Sequence, residues 1–410
     1  MIAAFAGATA ILAGIGVIQA LVACRLVASF ARSPANEPAS RPPVTVLKPL
    51  YGDEPLLEAA LTTLCRQDYP DWQIVFGVND KADPAADIVR RLQGRFPEVD
   101  ITLVTDPSRH GVNPKVSNLI NMMPAARHDV LVIADSDVHG QPDYLDRLVA
   151  ALDRPRVGLV TTLYAGLPIV PVTLPGRLGA LQITNGFLPG ALLSRAMGRQ
   201  DCLGATMCLR RKDLARIGGF HALVDHLADD NVLGRRIGGL GLHVELAQTV
   251  PLTTVPETDI RALFRHELRW ARTIRALEPV GFAASILQYP LAWGLLTIVL
   301  SGAALWSVGL LMIVWVLRAL AALGVDAALA SLWTKASTSD QKSGNDEAAL
   351  AFSYPLWLLP LRDVMSVAVL LASYGGRNVV WRGYGLQADT PPPSAQRPVT
   401  LGSIDGIKAR

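Results

Sequence analysis

Four groups of chemically capable residues lie in order along one segment of the chain. They are Asp80, Asp135 with Asp137, Asp229 with Asp230, and Arg269 with Trp270. Carboxylates just past a buried strand can hold a divalent metal against a diphosphate, because such metals take oxygen ligands and leave positions for substrate phosphates. A further carboxylate can accept the proton of an acceptor hydroxyl. This order indicates transfer chemistry on a diphosphate-linked donor.

The segment VLVIADSDV gives the strongest of these signals. Four apolar residues lead into Asp135, and Val138 follows Asp137, so two carboxylates lie close together at the edge of a core. Like charges at such a distance raise each other's pKa unless a cation neutralises them. The pattern therefore predicts a metal site at Asp135 and Asp137. His139 is either a further ligand or a hydrogen-bonding residue.

The other acidic sites allow simpler interpretations. Asp80 alone would be a solvent-facing residue at a strand end. Asp229 and Asp230 precede an apparent helix at 231–237, where a carboxylate can serve as a cap or a helix-dipole partner. Their place between Gly218-Gly219-Phe220 and the Arg-Trp pair favours a functional role.

Arginines recur at helical spacing around Arg269, in the segment HELRWARTIR. They are Arg265, Arg269, Arg272 and Arg275. One interpretation is a charged helix face beside a membrane. The other is that Arg269 neutralises a leaving diphosphate and Trp270 forms an apolar wall for a sugar or lipid.

Short β-branched runs alternate with helical patterns between residues 25 and 278. Strands are predicted at 44–47, 74–78, 101–104, 130–134 and 157–162, and helices at 56–66, 85–95, 116–123 and 143–152. This rhythm predicts an α/β fold with a mainly parallel sheet covered by helices on both faces. Ligands bind beyond the carboxyl ends of such strands, where Asp80 and Asp135 lie.

Apolar segments flank this block. Residues 1–24 carry no charge and suffice to span a bilayer. The long apolar run without a basic start favours a retained anchor over a cleaved signal peptide. Its basic flank at Arg25, Arg32 and Arg41 predicts an outside N-terminus and a cytoplasmic catalytic block.

The second apolar region, 280–317, predicts two spans joined by a turn near Ser301-Gly302. The third, 348–376, is interrupted by prolines and by Arg362 and Asp363, so it either spans the membrane or takes a re-entrant or interfacial path. The simple interpretation of the two charges is that they pair with each other. The predicted divisions are an anchor (1–31), a catalytic domain (32–278), a membrane region (279–385) and a polar tail (386–410), with a linker at 33–43 and a polar loop at 337–347.

Composition excludes other classes. The net charge is +3 with no long basic run, so nucleic acid is not an expected partner. The four cysteines form no CxxC pair, which argues against structural zinc. Acidic residues at all three expected sites argue against a non-catalytic scaffold.

Several segments together carry a family resemblance. They are LKPLYGDEPLLEAAL, GVNDKADPA, GVNPKVSNL, IADSD, CLGATMCLRRKDLARIGG, LADDN and RW. From Val44 to Arg275 the chain resembles the ceramide glucosyltransferases, glycosyltransferase family 21 with a family 2-type fold, and the related bacterial hopanoid-biosynthesis glycosyltransferases. The resemblance implies a glycosyltransferase A-type fold with N-terminal and C-terminal transmembrane helices.

The resemblance also implies residue roles. Asp80 would hold the uracil or ribose. Asp135, Asp137 or both would hold a divalent metal (Mg²⁺ or Mn²⁺) with the diphosphate. Asp230 would be the base. Further donor contacts would come from Lys115, Arg269 and Trp270. His266 departs from the family pattern, which has Gln or Arg there, and Arg265 is a possible substitute.

The resemblance implies an inverting, UDP-sugar-dependent enzyme acting on a membrane lipid at the bacterial inner membrane. His226 and His266 favour the hopanoid branch. The expected reaction transfers N-acetylglucosamine to a hopanoid such as bacteriohopanetetrol. The alternatives are glucosylation of ceramide from UDP-glucose and transfer to a polyprenyl phosphate.

Overall fold

Helices and strands alternate along the segment from Val44 to Val255, as the sequence predicts. The computed structural model describes residues 2–34, 37–336 and 349–376, and the backbone of 378–381 and 384–387. The strands are β1 (Val44–Pro49), β2 (Trp72–Val78), β3 (Asp100–Thr105), β4 (Val130–Ala134), β5 (Val138–His139), β6 (Val157–Thr161), β7 (Ala165–Pro168), β8 (Thr206–Arg210), β9 (His243–Leu246), β10 (Leu252–Val255), β11 (Asn378–Trp381) and β12 (Tyr384–Gln387).

Fourteen α-helices have bounds that the described residues define. They are α1 (Ile2–Arg32), α2 (Leu57–Cys65), α3 (Pro84–Arg95), α4 (Pro114–Met122), α5 (Tyr144–Leu152), α6 (Leu174–Gln182), α7 (Leu188–Ala196), α8 (Arg211–Arg216), α9 (Asp229–Gly239), α10 (Ile260–Leu277), α11 (Pro279–Ala284), α12 (Pro290–Leu300), α13 (Leu305–Ala336) and α14 (Leu358–Ser373). A π-helix, Ile183–Phe187, connects α6 to α7, and short 3₁₀ turns lie at Met123–Ala125, Phe220–Ala222 and Ser285–Gln288.

A seven-stranded sheet forms the centre of the catalytic block. Its strand order is β3-β2-β1-β4-β8-β6-β9, and only β8 runs antiparallel to its neighbours. Val44 of β1 is in register with Trp72 of β2 and Val130 of β4. The mainly parallel sheet is confirmed. Because β2 and β4 flank β1 in parallel, Asp80 and Asp135 leave the sheet at the same edge.

Apolar cores lie on both faces of this sheet. One contains residues of α2, α3 and α5, and the other contains residues of α4 and α9. Val46 belongs to the first core and Leu47 to the second, as alternation along β1 requires. Burial on both faces explains why these strands have continuous apolar runs. A smaller sheet, β5-β10-β7, lies beside them.

Two described helices are long and apolar enough to cross a membrane. They are Ile2–Arg32 and Leu305–Trp333, and a bent pair could provide a third span. That pair, Pro279–Gln288 and Pro290–Leu300, meets at 67° where Pro290 cannot donate a backbone hydrogen bond. The turn predicted near Ser301-Gly302 lies between α12 and α13, with Gly302 at φ +66°. Since α12 is about 16 Å long, it cannot cross a bilayer by itself.

The expected pairing of Arg362 with Asp363 is wrong. Both are buried in α14, but Arg362 makes two hydrogen bonds to Glu267 of α10, at 2.7 and 2.8 Å. Asp363 accepts the backbone N–H of Leu291 at 3.0 Å. Adjacent helical residues point in different directions, so each reaches a different neighbour.

Some predicted segments lie outside the described residues. These are the polar loop at 337–347 and the part of the polar tail at 388–410. In the predicted linker, residues 37–43 form neither helix nor strand.

Candidate active site at the carboxyl ends of the strands

The first acidic site is fixed between the two sheets. Directly after β4, the N–H of Asp135 donates to the carbonyl of Ala205 at 3.0 Å. Asp137 is anchored twice by β10: its carbonyl accepts the N–H of Thr254 at 3.2 Å, and its carboxylate accepts the Thr253 hydroxyl at 2.6 Å. Burial, and then the charge of Asp135, raise the pKa of Asp137. Two carboxylates are thus held close together at a sheet edge, as predicted.

Lys115 joins this pair from the start of α4. Its Nζ lies 2.5 Å from Asp135 Oδ1. Burial by itself would lower the pKa of Lys115, but the nearby carboxylates of Asp135 and Asp229 raise it overall. The local sequence explains this placement, because Asn113 caps α4 by accepting the N–H of Val116 at 3.1 Å and proline suits the next position.

Asn113 also links α4 to the second acidic site. Its amide donates to the carbonyl of His226 at 2.9 Å and to Asp229 Oδ1 at 3.3 Å. The hydrogen bond from Asn113 to Asp229 therefore holds the start of α4, which carries Lys115, next to the start of α9. The structure thus brings the segment that contains Lys115 next to the pair Asp229 and Asp230.

Asp229 and Asp230 begin α9, but neither occupies the cap position. That position belongs to Ala228, while Asp230 Oδ1 accepts the N–H of Asn231 at 2.8 Å. Burial, followed by the charge of Asp229, raises the pKa of Asp230. Gly204 lies against this carboxylate, since a Cβ there would be 2.8 Å from Asp230 Oδ2. A carboxylate with a raised pKa is suited to exchange a proton near neutral pH.

Lys48 is a site residue that the sequence analysis missed. It is fully buried at the end of β1, and its Nζ donates to the carbonyl of Val138 at 2.9 Å. Burial lowers its pKa to about 8, although the charges of Asp137 and Asp135 act in the opposite direction. The available signal was a lysine inside an otherwise apolar strand, VTVLKP.

The Arg-Trp pair approaches the site on α10. Asp259 begins this helix by accepting the N–H groups of Arg261 and Ala262 at 2.8 and 2.9 Å. Further along the helix, Trp270 packs in an apolar cluster that contains Val255, Ile183 and Tyr164. Tyr164 also lies near both acidic sites: burial raises its pKa, and the charges of Asp230, Asp135 and Asp137 raise it further. Arg269 precedes Trp270 and is partly buried.

His266, which departs from the family pattern, contacts Glu257 and Trp270. Its Nδ1 contacts the carboxylate of Glu257, and its ring meets that of Trp270 edge-on with centroids 4.4 Å apart. It therefore buttresses Trp270. Arg265, the possible substitute, is exposed and donates to the Arg261 carbonyl at 3.4 Å.

Asp80 occupies the same sheet edge but remains exposed. Its carboxylate accepts the N–H of Ala82 at 2.9 Å, which closes a tight turn after β2. This position is open to a ligand that extends along the strand ends.

The donor set suits a metal that shares its ligands with a substrate. Within the described ranges no three His, Cys, Asp or Glu side chains are grouped to hold a metal ion. Asp135 and Asp137 supply two carboxylates, which fits Mg²⁺ or Mn²⁺ completed by diphosphate oxygens and water. His139 favours its hydrogen-bonding interpretation: it is buried, its Nε2 lies 2.9 Å from Thr254 Oγ1, and burial lowers its pKa to about 3.

A family profile decides the classification. The profile described as "Glycosyl transferase family 21" matches residues 8–391. The chain belongs to this family. The match includes every acidic site described above, α1 from residue 8 onward and all of α13.

Curated relatives agree with this family assignment. The chain is 35% identical over 115 residues to a ceramide glucosyltransferase of Komagataella phaffii, covering 27% of this chain and 23% of that protein. It is 22% identical to ceramide glucosyltransferase 1 of Caenorhabditis elegans, covering 62% and 54%. The chain thus spans about half or less of these two relatives. A ceramide glucosyltransferase of Pyricularia oryzae aligns over 89% of both chains at 23% identity.

A solved structure confirms the fold. The mannosyltransferase from Pyrobaculum calidifontis, in complex with GDP-Man and Mn²⁺, superposes with a TM-score of 0.51 and 23% sequence identity. The superposition covers 91% of this chain and 99% of that one. The family 21 chain therefore combines a nucleotide-sugar transferase fold with helices long and apolar enough to span a membrane, as the sequence predicts.

Proposed function

We propose that this family 21 protein is an inverting, membrane-bound glycosyltransferase that moves a sugar from a UDP-sugar to the hydroxyl of a membrane lipid. The observation that carries the proposal is one connected site. Partly buried Asp230 lies beside Asp229, which accepts from the Asn113 amide, and Lys115, two residues after Asn113, contacts Asp135 of the carboxylate pair. The proposed proton acceptor therefore lies near the proposed diphosphate-binding residues.

The proposed reaction is a single displacement. The acceptor oxygen attacks the anomeric carbon while Asp230 takes its proton, the bond from that carbon to the diphosphate oxygen breaks, and UDP departs. Lys115 and Arg269 offer positive charge to the departing diphosphate. A divalent metal held by Asp135 and Asp137 would add further positive charge there. Asp80 would receive the uracil or ribose.

The finer proposal concerns the donor and acceptor. The motifs that contain His226 and His266 support transfer of N-acetylglucosamine to a hopanoid such as bacteriohopanetetrol. A second candidate is glucosylation of ceramide, because the curated relatives described above are named ceramide glucosyltransferases. A polyprenyl-phosphate acceptor is a third candidate. The proposed location is the bacterial inner membrane with the catalytic domain in the cytoplasm.

A matrix assay tests both levels. Purified protein would be given UDP-N-acetylglucosamine or UDP-glucose with bacteriohopanetetrol, ceramide or undecaprenyl phosphate, and lipid products would be identified by mass spectrometry. We expect N-acetylglucosaminyl hopanoid as the main product. Efficient glucosylceramide formation without a hopanoid product would overturn the proposed donor and acceptor but support the proposed glycosyltransferase activity. Sugar transfer to no lipid would overturn the function itself.

A further inference from the structure

A polar cavity lies among the apolar helices, away from the catalytic carboxylates. It contains about 40 Å³ of free space between α1, the π-helix, α13 and α14. The polar side chains that line it and carry the argument are Gln19, Gln182, Asn185, Gln288, Arg318 and Ser366. That space accommodates one small polar group or one or two water molecules.

Two buried atoms at this cavity have no hydrogen-bond partner among the described residues. They are Asn185 Oδ1, an acceptor, and Arg318 Nε, a donor. Each residue is only 6% exposed. Buried polar atoms are nearly always satisfied, so an unmet acceptor and an unmet donor beside one cavity indicate a missing ligand group.

The rest of both side chains is held in place. The amide nitrogen of Asn185 donates to Asp326 Oδ1 at 2.9 Å and to the Tyr354 hydroxyl at 3.0 Å. The terminal nitrogen of Arg318 donates to the Asn185 carbonyl at 3.0 Å. These bonds hold both side chains in place, so neither unmet atom can rotate to reach another partner.

The charge around the cavity favours a neutral ligand. Arg318 and Arg362 carry positive charge, and Arg362 is bound to Glu267. Asp326 and Asp363 add two further carboxylates. Each arginine thus has a carboxylate nearby, and the two unmet atoms are one acceptor and one donor. A hydroxyl or secondary amide can both donate and accept a hydrogen bond and so satisfies both atoms, whereas a phosphate dianion only accepts.

The π-helix connects this cavity to the active site. Asn185 lies at the cavity, while Ile183 packs in the cluster that contains Trp270 and Tyr164. Phe187 contacts Tyr164 with ring centroids 4.9 Å apart. One short segment thus touches the polar cavity on one side and the catalytic block on the other. Departures from α-helical geometry of this kind are frequent at functional sites.

Gln19 offers an access route from the lipid side. It lies in the middle of α1, lines the cavity, and forms no hydrogen bond with the described residues. A polar side chain within an apolar span normally faces a bundle interior or a polar cavity. A lipid headgroup that enters beside α1 would meet Gln19 before Asn185 and Arg318.

We propose that this cavity binds a neutral hydroxyl or amide of the lipid acceptor that is distinct from the hydroxyl that reacts. The inference rests on the proposed lipid glycosyltransferase function and adds a specificity site to it. The cavity selects lipids with a second neutral polar group and disfavours polyprenyl phosphates.

Two variants test the site with a matched control. Arg318→Lys keeps the charge and removes the Nε donor, and Gln19→Leu removes an amide without disturbing helix propensity. Thr9→Val in the same helix removes a buried hydroxyl that bonds Thr297 outside the cavity. We expect KM for the lipid acceptor to rise about tenfold in both test variants, the scale of one lost hydrogen bond, with kcat and KM for the UDP-sugar unchanged. Thr9→Val should retain the wild-type values.

A binding readout separates this inference from the proposed function. Photoactivatable ceramide and bacteriohopanetetrol analogues in neutral vesicles should label peptides that line the cavity, and undecaprenyl phosphate should not compete. If wild-type protein transfers no sugar but labelling is lost in both variants, the function fails and the lipid site stands. Unchanged acceptor KM and labelling in both variants, or no labelling in the wild type, would mean that the cavity holds only structural water.

Discussion

Asp229 and Asp230 are adjacent in the chain, but the structure gives them different environments. Asp229 is fixed by the Asn113 amide, whereas Asp230 faces Gly204 and, among the described residues, accepts a local N–H bond from Asn231. We predict that Asp230→Asn lowers transfer by more than about 100-fold, because the amide keeps the shape but cannot accept the proton. UDP-sugar binding, measured by calorimetry, should stay nearly normal. Near-normal turnover would reduce Asp230 to a residue of the helix start.

The pH dependence follows from the same pair. Asp230 works as a base only when deprotonated, and burial and Asp229 raise its pKa above the ordinary aspartate value of about 3.9. The activity should therefore fall with decreasing pH at a higher pH than an ordinary aspartate would give. Asp229→Asn removes one negative charge, so the acidic limb of the kcat/KM profile should move to lower pH. An unmoved limb would assign it to another group.

Metal removal tests the carboxylate pair. We expect excess chelator to abolish transfer and Mn²⁺ or Mg²⁺ to restore it, since Asp135 and Asp137 carry charges that a cation would neutralise. Asp137→Ala should also weaken UDP binding, measured by calorimetry with added metal. Full activity in chelator would leave Lys115 and Lys48 as the cations of this site.

At the scale of elements, the main βαβ units could be predicted because their signals are local. Strands buried on both faces have continuous apolar sequences, and capping residues such as Asp83 and Asn113 mark helix starts. The small sheet β5-β10-β7 was not predicted, because strands of two to four residues show no periodicity. The reversed direction of β8 depends on a long connection that no local pattern records.

The contact between α10 and α14 is a second feature that could not be predicted from the sequence. Arg362 and Glu267 are 95 residues apart and nearly fully buried. We predict that Glu267→Leu alone destabilises the protein by about 3–5 kcal/mol, because it leaves a buried guanidinium without its partner. The double change Glu267→Leu with Arg362→Met should recover much of that loss. Thermal unfolding of the single and double variants in one detergent measures both losses of stability. Equal losses in the two variants would contradict the prediction.

At the scale of the whole molecule, the candidate site was predicted where its residues follow strand ends or capped helices. Asp135 and Asp137 belong to this class, whereas the roles of Lys115 and Asp230 were expected from the family resemblance. Lys48, Gly204 and the contact of His266 with Glu257 needed the assembled fold, since each role depends on a residue distant in sequence or on the closeness of two backbones. The polar cavity also needed it, because its walls come from helices across the whole chain.

The charges beside the first apolar helix predict how the whole molecule is oriented in a membrane. Arg25, Arg32 and Arg41 follow the first apolar helix, and the positive-inside rule places that flank in the cytoplasm. We therefore predict that residues 32–278 are cytoplasmic and that the N-terminus faces the opposite side. Cysteine labelling checks this on intact cells with a membrane-impermeant maleimide. Glu98→Cys, at an exposed loop, should react only after permeabilisation, and Ile2→Cys should react from outside. Three of the four native cysteines are buried, so the unmodified chain gives the background. External labelling at position 98 would show the opposite orientation, in which the active site is separated from cytoplasmic nucleotide sugars.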